Sequence, residues 1–343
     1  MSNHLGRLSG QNGAMHPKAL LLLALLTGLF ACGSERDLQG QISVASVEDG
    51  DWEIYIINVG EQRAYRLTDN RAYDSGAVWS PDGKTYIATS EWVAGETEEL
   101  QVLNDAGEWV WIDEELTGDR DLISVDLGHL PEFLTDNAAT DEYPAWSPDG
   151  ERIAFSSDRT GDPEIFVMDP NGDNVVQLTN SPGEDWQPSW SPDGERIVFA
   201  SPRTGNWEIY VMDADGGNVI QLTDRLGIDW TPEWSPDGTR IAFTSKAKAA
   251  EVVVDEETGE VLQTVPGAGT WDVYVMDPNG ENVIQLTDHP ASDFEPTWSP
   301  DSKYLAFASD RTGPVGVYVM NADGSDPEST GWSGIPSDWT NFD

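Results

Sequence analysis

The sequence predicts an all-β chain folded as a six-bladed propeller of four-stranded antiparallel blades. Three observations carry this expectation. Trp-Ser-Pro-Asp-Gly occurs at Trp79, Trp146, Trp190 and Trp234, and Trp-Ser-Pro-Asp-Ser at Trp298. The copies at Trp146, Trp190 and Trp234 stand 44 residues apart, a period that suits one blade of four short strands. Between the copies, β-branched and aromatic runs alternate with Asp-Gly and Asn-Gly turns, the pattern of consecutive hairpins.

Each element follows in order within one unit. Pro188-Ser189-Trp190-Ser191 reads as a short inner strand, A, and Pro192-Asp193-Gly194 turns the chain into strand B, Arg196 to Phe199. A loop from Ser201 to Asn206 leads to strand C, Glu208 to Met212; a turn at Asp213 to Gly216 leads to strand D, Val219 to Thr223. Four such strands make one blade. The termini complete the ring. Ile42 to Thr68 supplies strands B, C and D without an A, and Ser337-Asp338-Trp339-Thr340 matches Ser292-Asp293-Phe294-Glu295, the lead-in to a strand A. A propeller over 42–343, closed by strands from both termini, leaves no sheet edge open at the seam.

The other two Trp spacings, 67 and 64, are longer by 23 and 20. The excess falls between strands B and C of the second and fifth blades, near 93–117 and 247–270, and reads as two β-hairpins. Those blades are opposite in a sixfold ring, so the hairpins are expected on one face across the channel mouth. They serve either as jaws for a partner, with Trp92, Trp109 and Trp111 as apolar contacts, or as covers for a blade edge.

The recurring Pro-x-Trp-Ser-Pro-Asp-Gly, Ile-Ala-Phe-x-Ser-x-Arg-x-Gly, Glu-Ile-Tyr-Val-Met-Asp and Gln-Leu-Thr segments resemble the TolB-like propeller repeat across 42–343. The resemblance implies the fold and, more weakly, protein–protein binding in the periplasm. TolB also carries an α/β domain ahead of its propeller. No segment of this sequence reads as one, so the resemblance leaves a role in the Tol–Pal envelope system open.

The formal net charge is −44, yet the acids are interleaved with apolar alternation and 15 Trp, 9 Tyr and 9 Phe are available for a core. An acidic but folded surface is the reading, one that repels nucleic acid and anionic lipid and leaves cations, cationic peptides and neutral ligands as partners. The single cysteine, Cys32, excludes an intrachain disulfide. Residues 1–31 contain no acid, and Arg7, His16 and Lys18 precede an apolar run from Ala19 to Phe30. This describes a signal peptide, with Met15 as an alternative start. Leu29-Phe30-Ala31-Cys32 resembles a bacterial lipobox, although Phe30 departs from the small or branched residue usual there. The resemblance implies a lipid on Cys32, a linker over 32–41, contact with membrane only through that anchor, and an envelope location on the periplasmic or outer face. Plain cleavage after Ala31 and an uncleaved anchor are the alternatives.

Asp74, Asp141, Asp185, Asp229 and Asp293 each stand five residues before a blade Trp, and Asp338 is placed in the same register by the tail match. Six carboxylates at the D-to-A connections are expected to ring one channel mouth. There they would either pair with backbone N–H groups and arginines such as Arg159, Arg203 and Arg311, or hold calcium or a cationic ligand. Tyr143, Trp186, Trp230, Phe294 and Trp339 lie beside them as a candidate aromatic rim. No Gly-x-Ser-x-Gly elbow is present, and His129 and His289, the histidines outside the leader, have no Cys partner and no metal-ligand spacing. The expectation is therefore a monomeric protein- or peptide-binding module without a catalytic constellation. The alternative is a carbohydrate-active hydrolase or lyase working through channel-mouth acids and a divalent cation.

Overall fold

The computed structural model describes residues 38, 40–47, 52–68, 72–91, 97–103, 109–115, 120–126, 132–225, 227–247, 250–254, 261–266 and 269–341. The leader 1–31, Cys32, Trp92 and His129 lie outside the described residues, and of Trp109 and Trp111 only the strand is described.

Among the described residues six four-stranded antiparallel sheets form the propeller, each running A-B-C-D from the axis outward. The inner strands are Ile335–Thr340, Tyr73–Trp79, Asp141–Trp146, Trp186–Trp190, Gly227–Trp234 and Asp293–Trp298, for blades 1 to 6. Each packs beside the next, and the sixth beside the first, so the ring is closed. Blade 1 is composite: Ile335–Thr340 pairs with Gln41–Ser46, joining the two ends of the chain.

Blade 4 shows how the sequence builds a blade. Trp186–Trp190 pairs with Arg196–Ser201 in a register interrupted between Trp186 and Ser189. Pro188 has no N–H for the ladder, and Gln187 takes a left-handed φ of 56°. The interruption is thus a β-bulge that accommodates the proline. The Ser-Pro-Asp-Gly turn closes on itself. Asp193 Oδ1 accepts from the Ser191 hydroxyl (2.5 Å) and the Glu195 N–H (3.0 Å), and these bonds hold its carboxyl below the usual range. Gly194 supplies the φ of +70° that ends the turn, a conformation costly for a residue with a Cβ.

Strand D is shorter than the sequence suggests: Ile220–Gln221 alone pairs with strand C. Asn218 at φ 49° delays entry. Thr223 leaves the ladder because its hydroxyl accepts from Ile209 N (2.8 Å) and donates to Glu208 (2.7 Å). The same Thr clamp recurs at Thr68, Thr135, Thr179 and Thr287.

The core lies between blades. Trp190, Ile197, Phe199, Tyr210 and Met212 of blade 4 pack on Ala154, Ile165 and Val167 of blade 3. Phe155, Phe199, Phe243 and Phe307 are the largest fully buried side chains, one in each of four successive blades. The extra segments form two-stranded sheets, Thr97–Leu103 with Trp109–Glu115 and Ala250–Val254 with Val261–Pro266. Each is inserted between strands B and C of its blade.

Candidate binding channel

The six inner strands enclose an axial channel of about 1000 Å³, lined by residues from every blade. Its wall is set by the bulges. Tyr143, Gln187, Thr231 and Glu295 hold left-handed φ of 50–56°, Gly76 holds 63°, and all five line the channel. A non-glycine residue in this region costs roughly 1–2 kcal/mol, and Thr231 is β-branched, for which it is a genuine outlier. Local bonds hold these positions. Gln187 N donates to Ser156 Oγ, Thr231 N to Gln187 Oε1, and Glu295 N to Thr244 Oγ1, all at 3.0–3.1 Å. Pro144, Pro188, Pro232 and Pro296 follow the four bulged residues and line the wall without an N–H to offer.

Five of the six aspartates do not ring the channel mouth. Asp74, Asp141, Asp185, Asp229 and Asp293 are fully buried and do not line the channel. They sit between blades, each beside an acid in the first two residues of strand C of the preceding blade: Glu53, Asp121, Glu164, Glu208 and Asp272 respectively. Four of the aspartates hold an arginine: Asp141 with Arg159 (2.9 Å), Asp185 with Arg203 (2.7 Å), Asp229 with Arg225 (3.0 Å) and Asp293 with Arg311 (2.7 Å). Each guanidinium also stacks over two rings, as Arg203 does over Phe199 and Tyr210. A carboxylate this deep is tolerated only when paired. Blade 5 has no arginine on its B–C loop, and Arg225, from the D–A connection, takes that place by reaching Ser245 and Asp229.

Asp338 does not stand in the register of the other five. It faces Ser43, while Ile335 faces Ala45. Gly334 therefore takes the aspartate's position, and its N–H bonds Val315 O as Asp185 N–H bonds Pro163 O. Glycine also replaces the strand C acid here, at Gly316. The seam between blades 6 and 1 thus has no carboxyl pair at these two positions. Space explains half of the exchange: a Cβ on Gly334 would lie 2.4 Å from Val44 Cγ1.

The same shift moves Trp339 out of the aromatic rim. It is buried against Ile42, Ala306 and Val319, the blade-tryptophan slot of blade 1. Trp230 packs edge-on against Trp207 (4.2 Å) over the core, and Phe294 is half-buried. Tyr143 lines the channel, with Trp186 edge-on to it at 5.7 Å, and Trp52 and Tyr73 line it too.

A different set of acids faces the channel, of which the sequence pointed only to Asp338. Glu91, Glu142, Glu233, Glu295 and Asp338 line the channel, and among the described residues Arg120 is the one lysine or arginine in the lining. Arg120 donates to Glu91 (2.7 Å) and to Glu142. Glu233 accepts from Trp298 N (3.1 Å) and Thr297 Oγ1 (3.2 Å), and Asp338 from Trp79 N (2.9 Å). Burial pushes Glu233 up to about 8, with the charges of Asp338 and Glu295 adding to it; burial likewise raises Glu295 to about 7 and Asp338 to about 6. The available signal was the residue before each blade Trp, which is acidic in blades 5 and 1 only.

Among the described residues no three metal-ligating side chains converge. His289 is exposed, and its Nδ1 accepts from Ala291 N in its own turn (3.1 Å).

A closed ring of six such blades around an open axial channel defines the class, a six-bladed β-propeller. The model of the TolB β-propeller domain matches residues 176–256 and 257–341. A TolB homolog of Chlorobium luteolum is 29% identical over 170 residues, covering 43% of this chain and 37% of the relative. The Tol-Pal system protein TolB of Syntrophus aciditrophicus is 49% identical over 37 residues, 11% of this chain and 8% of that one. The chain thus matches well under half the length of either relative. The crystal structure of TolB from Acinetobacter baumannii superposes with a TM-score of 0.64 at 20% identity, over 88% of this chain and 67% of that one. Over residues 176–341 the chain is similar to the TolB β-propeller domain, and its fold is that of a six-bladed β-propeller.

Proposed function

We propose that this propeller is a non-catalytic binding module of the cell envelope, which receives an extended segment of a protein partner at its channel. The observation that carries the reading is the channel itself: open, of ligand-site size, walled by prolines, with Trp52, Tyr73 and Tyr143 in its lining. Aromatic side chains of this kind anchor partner segments well. The TolB names of the relatives, one of them a Tol-Pal system protein, support a protein partner in the periplasm. The leader 1–31 and Cys32 fit export and a lipid anchor. The two hairpins, inserted at the B–C connections of opposite blades, would flank the same end of the channel.

The test is site-specific photo-crosslinking. A photoreactive phenylalanine placed at position 143 should capture a discrete protein from the source organism's envelope fraction. The same group at position 220, exposed on the outer rim, should not. Adducts from position 220 with none from 143 would move the partner site off the channel and refute the reading.

A further inference from the structure

We infer that the channel selects a cationic segment, an extended chain whose lysine or arginine side chains seat against Glu295, Glu233 and Asp338. The inference rests on the channel being the partner site and adds the chemistry of the partner.

Charge within the channel is one-sided. Among the described residues five acids and one lysine or arginine line it, and the guanidinium of Arg120 is already held by Glu91 and Glu142. That cluster shows how the wall accommodates a cation: a guanidinium between two glutamates where blades 2 and 3 meet. Glu233 and Glu295 belong to blades 5 and 6, which stand across the ring from blades 2 and 3, and Asp338 to blade 1. Among the described residues none of the three is in an ion pair. Each has hydrogen-bond capacity beyond the one or two donors it meets, since a carboxylate can accept about four bonds.

The wall between the acids suits the rest of such a side chain. Pro232, Pro296 and Pro336 lie in the lining beside them, an apolar surface for a methylene stem while its charged end reaches a carboxylate. Glu295 stands three residues before its blade Trp, Glu233 and Asp338 one residue before theirs, so successive basic side chains on one face of an extended segment would meet successive acids. Burial raises all three, and the charges of Asp338 and Glu295 raise Glu233 further, so near neutrality Glu233 and Glu295 keep a share of their protons. A cation seated there restores the ionised form and expels them.

The test uses residues 33–343 and three capped peptides: Gly-Lys-Gly-Lys-Gly, its Nε-acetylated form, and Gly-Glu-Gly-Glu-Gly. Calorimetry at pH 7 and moderate salt, in two buffers of different ionisation enthalpy, reads affinity and protons together. The lysine peptide should bind saturably with proton release, and the other two at least tenfold more weakly. Glu295→Gln with Glu233→Gln should reduce lysine-peptide binding at least tenfold and abolish the release. Asp173→Asn with Asp215→Asn, at exposed turns, should change neither. Glu295→Gln alone gives an intermediate loss should the double variant fail to fold. Equal binding of the acetylated peptide, lost on Tyr143→Ala, would overturn the charge selection and leave the channel as the partner site. Lysine-peptide binding sensitive to the turn acids but not to the channel glutamates would overturn the selection as surface attraction. Absence of binding by all three peptides would overturn both readings.

Discussion

Replacing Glu164 by glutamine should stabilise this protein above neutrality and leave it unchanged in mild acid. Glu164 is almost fully buried at the junction of blades 3 and 4, where it accepts from the Thr179 hydroxyl (2.6 Å) and from Ser181 N (3.0 Å). Burial, followed by the charge and carboxyl contact of Asp185, raises it from 4.5 to about 7. The folded state therefore holds a proton that the unfolded chain releases near pH 4.5. Stability from this group is fully present below pH 4.5 and is lost as pH rises to about 7. At 1.36 kcal/mol per unit the loss is at most ~3 kcal/mol. Glutamine keeps an acceptor for Thr179 and an N–H for Asp185, and it cannot ionise. At pH 8 the variant should melt ~5 °C above the wild type, taking ~2 °C per kcal/mol for a chain of this size. At pH 4.5 the two should coincide. Thermal melts followed by tryptophan fluorescence between pH 4.5 and 8 make the comparison. Parallel curves across that range, or a variant less stable at pH 8, would refute the argument that this carboxyl is protonated in the native state.

Four further outcomes follow from the same geometry. Arg203→Met leaves Asp185 and Glu164 buried without their cation and should cost ~3–5 kcal/mol in urea unfolding, as breaking a buried pair does. An exposed ion-pair variant, Lys84→Met, should change stability by less than ~1 kcal/mol. Gly334→Ala sets a Cβ 2.5 Å from Ala45 O at a φ of +130° and should lower stability by ~3 kcal/mol, the upper range for overpacking. Calcium titration should give no rise in melting temperature that depends on Asp185 and Asp229, because both carboxylates are committed to arginines. A rise abolished by Asp185→Asn with Asp229→Asn would show that calcium displaces those partners.

By itself the sequence determined the fold class, the number of blades and the composite closure, because each rests on local and repeated signals. The Trp-Ser-Pro-Asp-Gly turn satisfies its own hydrogen bonds, and hairpin alternation is legible wherever a strand has one buried face. The 44-residue period between Trp146 and Trp234 counts blades without any knowledge of their contacts. Tertiary structure decided the rest. The tail carries no Ser-Pro-Asp-Gly, so Ser337-Asp338-Trp339 matched the wrong place by sequence, and only pairing with Gln41–Ser46 set Trp339 in the tryptophan slot and Gly334 in the aspartate's place. Whether an aspartate faces a channel or a neighbouring blade depends on an arginine and an acid from other strands, as the substitution of Arg225 for a B–C loop arginine shows. Glu233, Glu295 and Asp338 are 43 to 105 residues apart in the chain. They share one field because ring closure brings blades 5, 6 and 1 around a common axis, a proximity that no local pattern encodes.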